Sequence, residues 1–275
     1  MRFSINKQTM RNSLLAIFLT LLTISAQAQL YVPGEVLNYK MSYKAKLFPN
    51  TEVANVTIQT SNATLDGQPA YKVYGIGQTA RAFNWIFPVK DAYTIWIDPT
   101  TLRTKRFEAD LQEGDYTRRS TFIFDQPNGK VYTRWQTRQR PVEYRTLEIT
   151  RNGMDAISLY FNMRSVDDEE IREGFTRDLE MVLEDTVRYL KFRYEGREVK
   201  KIKNLGRFNT LKFRCKIATS DGYAFEDGTE FEVWISDDRN KIPLYIQSPI
   251  KVGSVQAYLS SYEGLRYPLD SFIKK

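Results

Sequence analysis

AYTIWIDPTTLRTKRFEADLQEGDYTRRSTFIFDQPNGKVYTRWQT, from Ala92 to Thr137, decides the fold class. Four strand-like segments follow one another: AYTIWID, LRTKRFEADLQ, DYTRRSTFIFD and KVYTRWQT. Asp98-Pro99, Glu113-Gly114 and Pro127-Asn128-Gly129 separate them. The segments are rich in Tyr, Phe, Trp, Ile and Thr, residues that suit a pleated, half-buried surface. Short strands with a turn about every ten residues form a meander.

The same pattern extends outward in both directions. EVLNYKMSYKAKLF places Leu37, Tyr39, Met41 and Tyr43 on one strand face. A turn is expected at Pro49-Asn50, then EVANVTIQTSNATL, then a hairpin at Asp66-Gly67 into PAYKVYGIGQT. Downstream, MDAISLYFNMRS (154–165) has helical spacing at Ile157, Tyr160, Phe161 and Met163, with Asn152 or Asp155 available to cap it. FTRDLEMVLEDTVRYLKFRYEG reads as two strands: Leu179, Met181 and Leu183 alternate, as do Leu190, Phe192 and Tyr194, and Glu184-Asp185 falls between. REVKKIKN, RFNTLKFRCKIAT, TEFEVWISD, PLYIQSP and GSVQAYLSSYEGL read as further strands, with Asp221-Gly222 and Asp227-Gly228 bracketing a loop.

About fourteen strands and one short helix predict an all-β fold, a large curled antiparallel sheet or pair of sheets, open-barrel or sandwich-like. The helix near 154–165 is the natural seam. WIDPTTLRTKRF (from Trp96) and WISDDRNKIPLYI (from Trp234) lie on either side of it and echo each other. Matching Leu102 to Ile242 makes the second turn about two residues longer. Either two similar half-sheets, 29–150 and 166–275, make up one domain, or two hairpins coincide. If the echo is architectural, each tryptophan packs on the inner face.

The first residues have a separate character. Arg2, Lys7 and Arg11 precede the apolar run Leu14–Ala26, and Ala26-Gln27-Ala28 carries small residues where a signal peptidase reads. This is the pattern of a secretory leader over 1–28, too short in its apolar core for a spanning helix of roughly 20 residues. Cleavage takes the formal charge from +7 to +4. No transmembrane span is expected afterwards. The remaining charge is dispersed, which argues against a nucleic-acid partner.

The 275-residue chain has no histidine and one cysteine, Cys215, in the alternating segment LKFRCKI. Serine- and cysteine-histidine catalysis and histidine-ligated zinc are thereby excluded. There is no D-x-D-x-D-G calcium loop, and no cofactor is expected. Glu108 and Asp110 share a strand face, so a glycosidase would need them opposed across a cleft; a solvated face explains them as well. Arg103, Lys105 and Arg106, with Arg118 and Arg119 on the next segment, form a basic cluster. Cross-strand acids can neutralise it, or it can receive an anionic headgroup. RAFNWIFPVKDAY sets Phe83, Trp85, Ile86 and Phe87 in a run without alternation, just after Gly75 and Gly77. Such a run caps a barrel end, lines the mouth of a cavity, or docks a partner.

Phe87–Asp125, DAISLYFNMR and EVWISDDRNKIPLYIQSPIKVGSVQAYLSSYEGL resemble bacterial exported proteins of domain-of-unknown-function family 3108. The shared pattern is a set of turns followed by an Asp-Ala-Ile-Ser-Leu-Tyr-like helix and a Gly-Ser-Val-x-Ala-x-Leu hairpin. More distantly, the chain is similar to lipoprotein-carrier half-barrels, whose curved sheets hold acyl chains. The resemblance implies a mostly β protein of Gram-negative envelopes, periplasmic or outer-membrane associated. It implies no activity and no functional residues. The expected function is binding of a lipid, other amphiphile or envelope partner in a concave sheet. Phe83, Trp85, Phe87, Tyr93, Trp96 and Trp234 would line it, and Arg103 or Arg106 would meet a headgroup. The alternatives are a scaffold without ligand and a carboxylate glycan hydrolase.

Overall fold

The computed structural model describes residues 32–45, 48–183, 186–218, 230–250 and 253–274. The leader, the 221–228 loop and Glu184-Asp185 lie outside the described residues. Sixteen strands form one sheet in the order β8-β7-β6-β5-β4-β3-β2-β1-β15-β14-β13-β12-β11-β10-β9, with β16 off this path on β12. In chain order these are β1 (Val36–Ala45), β2 (Phe48–Leu65), β3 (Gln68–Thr79), β4 (Lys90–Ile97), β5 (Thr104–Glu113), β6 (Tyr116–Asp125), β7 (Lys130–Thr137) and β8 (Glu143–Glu148). They continue as β9 (Met154–Asp155), β10 (Thr176–Leu183), β11 (Thr186–Ile202), β12 (Gly206–Ala218), β13 (Glu230–Ser236), β14 (Pro243–Pro249), β15 (Ser254–Glu263) and β16 (Phe272–Ile273). All pairs are antiparallel except β9 with β10.

Two antiparallel meanders thus meet at one seam, where β1 pairs with β15 from Val36↔Glu263 to Lys44↔Ser254. The single α-helix of the described residues, α1 (Ala156–Met163), lies inside the curl. Its Phe161 packs with Val73, Ile95, Phe107, Phe122 and Val131 of the first meander. Leu159 and Met163 pack with Met181, Phe192, Phe213 and Ile235 of the second. Tyr160 reaches the cluster around Leu37, Leu244 and Leu259 near the seam.

Both helix ends are tied down. The Asp155 carboxylate caps α1 by accepting from the backbone N–H of Ile157 (2.9 Å) and Ser158 (2.8 Å). It also accepts from the Ser158 hydroxyl (2.5 Å) and from Thr104 of β5 (2.6 Å). At the other end, buried Arg164 donates two bonds to buried Glu35, at 2.6 and 2.9 Å, and a third to the Asn240 carbonyl at 3.0 Å. A bidentate pair of this kind supplies the hydrogen bonds that a buried charge requires.

Several expected boundaries move. The helix starts at Ala156, because Met154-Asp155 pair with Met181-Val182 as a strand before the chain turns. Pro49-Asn50 is no turn: β2 begins at Phe48, and Ala45 pairs with Phe48. REVKKIKN is not a separate strand either. It continues β11 through a bulge at Gly196, whose φ of 133° lets the strand bend without breaking.

Candidate functional site

The alternation of each strand sorts its side chains onto two faces. In β4, Ile95 and Ile97 are buried against the α1 side. Trp96, between them, faces outward, with the Lys72 ammonium 6.0 Å from its ring centre and Arg106 beside it in register. Trp234 behaves the same way between Val233 and Ile235. Lys200 lies 3.4 Å and Lys212 5.0 Å from its ring centre, Tyr245 meets it edge-on, and its indole N–H donates to Glu198. Both tryptophans therefore lie away from the concavity, contrary to the inner-face expectation. The β-branched neighbours take the core positions, and the indoles offer flat faces to cations.

The two hairpins nonetheless share their construction. Each has a register shift directly after its tryptophan and a left-handed non-glycine residue in the turn, Leu102 (φ 55°) and Lys241 (φ 46°). The closing bonds run from Asp98 N–H to the Arg103 carbonyl and from Ser236 N–H to the Ile242 carbonyl. Aligned on these bonds, the second turn is longer by one residue rather than two.

The concave face of β1–β4 holds a cavity of about 560 Å³. Val56 and Ile58 of β2, Gly75 and Gly77 of β3, Tyr93 of β4 and Ile157 of α1 form its walls. Its space comes from the two glycines. A Cβ at Gly75 would come no nearer than 4.0 Å to Tyr93, and one at Gly77 no nearer than 3.9 Å to Val56. Neither glycine has a positive φ, so the backbone does not require them. They leave the inner face bare where neighbouring strands place side chains.

The loop after β3 forms the mouth. A 3₁₀ turn at Arg81–Phe83 is continued by bonds from Ile86 N–H (3.0 Å) and Phe87 N–H (3.3 Å) to the Phe83 carbonyl. The Thr79 hydroxyl donates to the Phe87 carbonyl and accepts from Val89 N–H, both at 2.9 Å. The loop thus has a fixed shape, with Phe83, Ile86 and Phe87 against the cavity. Trp85 stands out from it, 83% exposed. Gly114 (φ 58°) lies under the Phe87 ring, where a Cβ would come within 3.3 Å.

Asp91 is the one acid among the described residues of the lining. Burial pushes its carboxyl up to about 6, and the like charge of Glu113 adds to the rise, against a backbone hydrogen bond from Gln112.

Of the residues expected to form a site, the structure brings Phe83, Phe87 and Tyr93 together and leaves Trp85 at the rim. Trp96 and Trp234 are on the other face. Arg106 faces outward, 3.6 Å from Asp66. Arg103 lines a different, polar groove of about 380 Å³ and donates to Asn152 at 2.8 Å. Glu108 and Asp110 alternate with buried Phe107 and Ala109, so they face outward, and Asp110 lies 3.4 Å from Arg119. Cys215 is fully buried, and burial raises its thiol pKa well above the ordinary value. Sequence reasoning missed the glycines as wall residues. The signal was two glycines two apart on the inward parity of a strand.

No group of three or more potential metal ligands occurs among the described residues. No helix among them is long and apolar enough to cross a membrane. No curated protein matches the chain. Its fold is similar to that of a β-barrel-like protein of the domain of unknown function DUF1849 from Brucella abortus. That similarity has a TM-score of 0.55 at 9% identity and covers 85% of this chain and 98% of the other. A family model for a protein of unknown function, DUF3108, matches residues 38–260, and the chain belongs to that family.

Proposed function

We propose that this is an exported protein of the cell envelope that holds an apolar or amphipathic ligand in the Gly75–Gly77 cavity. The observation that carries the reading is the cavity itself. An apolar space of about 560 Å³ falls within the range of small-molecule sites, roughly 300–1,000 Å³. It is cleared by glycines that the backbone does not need, and exposed aromatics stand at its mouth. Export rests on the leader-like pattern of residues 1–28, with the periplasm as the proposed location and outer-membrane association or secretion as the alternatives.

The test is native mass spectrometry, with organic extraction, of protein purified from its own envelope. The expected result is a copurifying amphiphile that is absent from Gly77→Leu, which fills the space without straining the backbone. A chain that emerges empty and takes up no amphiphile would sink the reading. It would favour a scaffold acting through the Trp85 tip, for which crosslinking in the envelope is the next experiment.

A further inference from the structure

Two arginines among the described residues are buried, and they differ in one respect. Arg164 has a buried acid. Arg118 of β6 is only 9% exposed, and its buried Nε–H has no hydrogen-bond partner among the described residues. Its guanidinium lies over the Trp135 ring, whose centre is 4.9 Å from the guanidinium carbon. The Arg118 Nε–H and the Trp135 indole N–H are both buried donors without an acceptor. A ring face offsets only part of the cost of burying a guanidinium; an anion with hydrogen-bond acceptors offsets far more.

The protein's own acids do not fill this role. Asp110, on the neighbouring strand, faces outward to Arg119. Glu113 is on the inward parity but hydrogen-bonds with Asp91. Arg118 shares its face with buried Ser120, Phe122 and Phe124, so it is directed into the curl.

Its place on the sheet lies on the same cross-strand row as the cavity wall. Gly77 pairs with Asp91, and the β4–β5 register, Ala92↔Asp110 with Val89↔Glu113, sets Asp91 opposite Leu111. Leu111 pairs with Arg118. Arg118 is thus three strands from Gly77 on one cross-strand row, at most about 14 Å along the sheet at the usual strand spacing. A long alkyl chain spans that distance.

We infer that Arg118 and Trp135 receive the anionic head, carboxylate or phosphate, of a single-chain amphiphile whose tail lies between Gly77, Val56, Tyr93 and Ile157. This rests on the proposed cavity reading and adds the ligand's polarity and orientation. A planar guanidinium suits both heads, because it can donate two parallel bonds to two oxygens.

The test uses delipidated protein and three probes below their micelle concentrations: hexadecanoic acid, its methyl ester and hexadecyl phosphate. Binding is read by native mass spectrometry and titration calorimetry. The acid or the phosphate should bind at least about tenfold more tightly than the ester, the effect of one charged hydrogen bond. The tighter of the two identifies the head. Arg118→Gln should remove that preference, and an unchanged β-sheet circular dichroism spectrum shows that the variant is folded. Arg118→Met serves in its place if the glutamine variant is poorly produced. Gly77→Leu should weaken all three probes. Equal binding of acid and ester by the wild type, or a preference that survives Arg118→Gln, overturns the headgroup site and leaves the cavity standing. Failure of the wild type to bind any probe overturns both.

Discussion

The two meanders of this sheet use similar hairpins but fill their concave sides differently. In the second, Phe192, Phe213, Leu211, Val233 and Ile235 pack on Leu159 and Met163 of α1, and their relative exposures do not exceed 7%. In the first, the same helix finds a core over β4–β7 but bare backbone at Gly75 and Gly77 of β3. One half is built to be stable, and the other gives up packing to keep a space.

Cutting into the filled half should have the largest effect. Phe213→Ala is expected to cost about 3–5 kcal/mol in a denaturant titration, because a fully buried ring leaves a cavity that cannot collapse. The seam comes next. Glu35→Ala strands Arg164 without its acid and should cost about 3 kcal/mol or more, with the helix end loosened. A loss under about 1 kcal/mol for Phe213→Ala would mean that the filled half is not the main source of stability, and one for Glu35→Ala that the buried ion pair does not hold the seam.

In the hollow half the expected signs change. The folded-state pKa of Asp91 is raised from 3.8 to about 6, so the native state holds the extra proton between those values. Stability should therefore fall as pH rises from about 4 to about 6. Asp91→Asn should flatten that fall and make the protein more stable than wild type at neutral pH. Unchanged pH dependence would show that Asp91 is hydrated in solution. Smallest of all, Trp85→Ala should shift stability by no more than about 0.5 kcal/mol, since the ring is mostly in solvent. It should still lower the uptake of hexadecanoic acid if the rim guides the ligand. Together with Gly77→Leu, these variants separate a half that tolerates change from one that does not.

Much of the sheet was legible because alternation and turn residues act locally. Lys130–Thr137 alternates without a fault from exposed to buried. The two-strand reading of Phe175–Gly196 survives as β10 and β11 because Leu179, Met181, Leu190 and Phe192 keep the parity of one face. Period two says which residues share a face, but not which face is concave. The hairpin echo therefore cannot place Trp96 and Trp234, which the inner-face expectation puts inside although lysines cover them outside. The glycine-walled cavity was unreadable for a related reason. It depends on β2, β3 and α1 converging, and α1 lies some 80 residues from Gly75 in the chain. Arg118 appeared only as one member of a basic cluster, because absence of a partner is a property of three-dimensional surroundings.

The β1–β15 seam bears on the order in which the chain can fold. Asn38 hydrogen-bonds to Ser261, 223 positions away, whereas nearly every other ladder joins strands consecutive in the chain. Each meander can therefore zip up from its own turns, and the seam waits for both, since closing so large a loop brings no gain until the partners exist. Until Ser254–Glu263 arrives, β1 remains an open edge that can pair with another chain. Under the proposed export, a chain threaded through a membrane from its N-terminus carries that exposed edge until β15 emerges. Chains truncated before Ser254 should aggregate through β1, whereas chains cut after Glu263 should not.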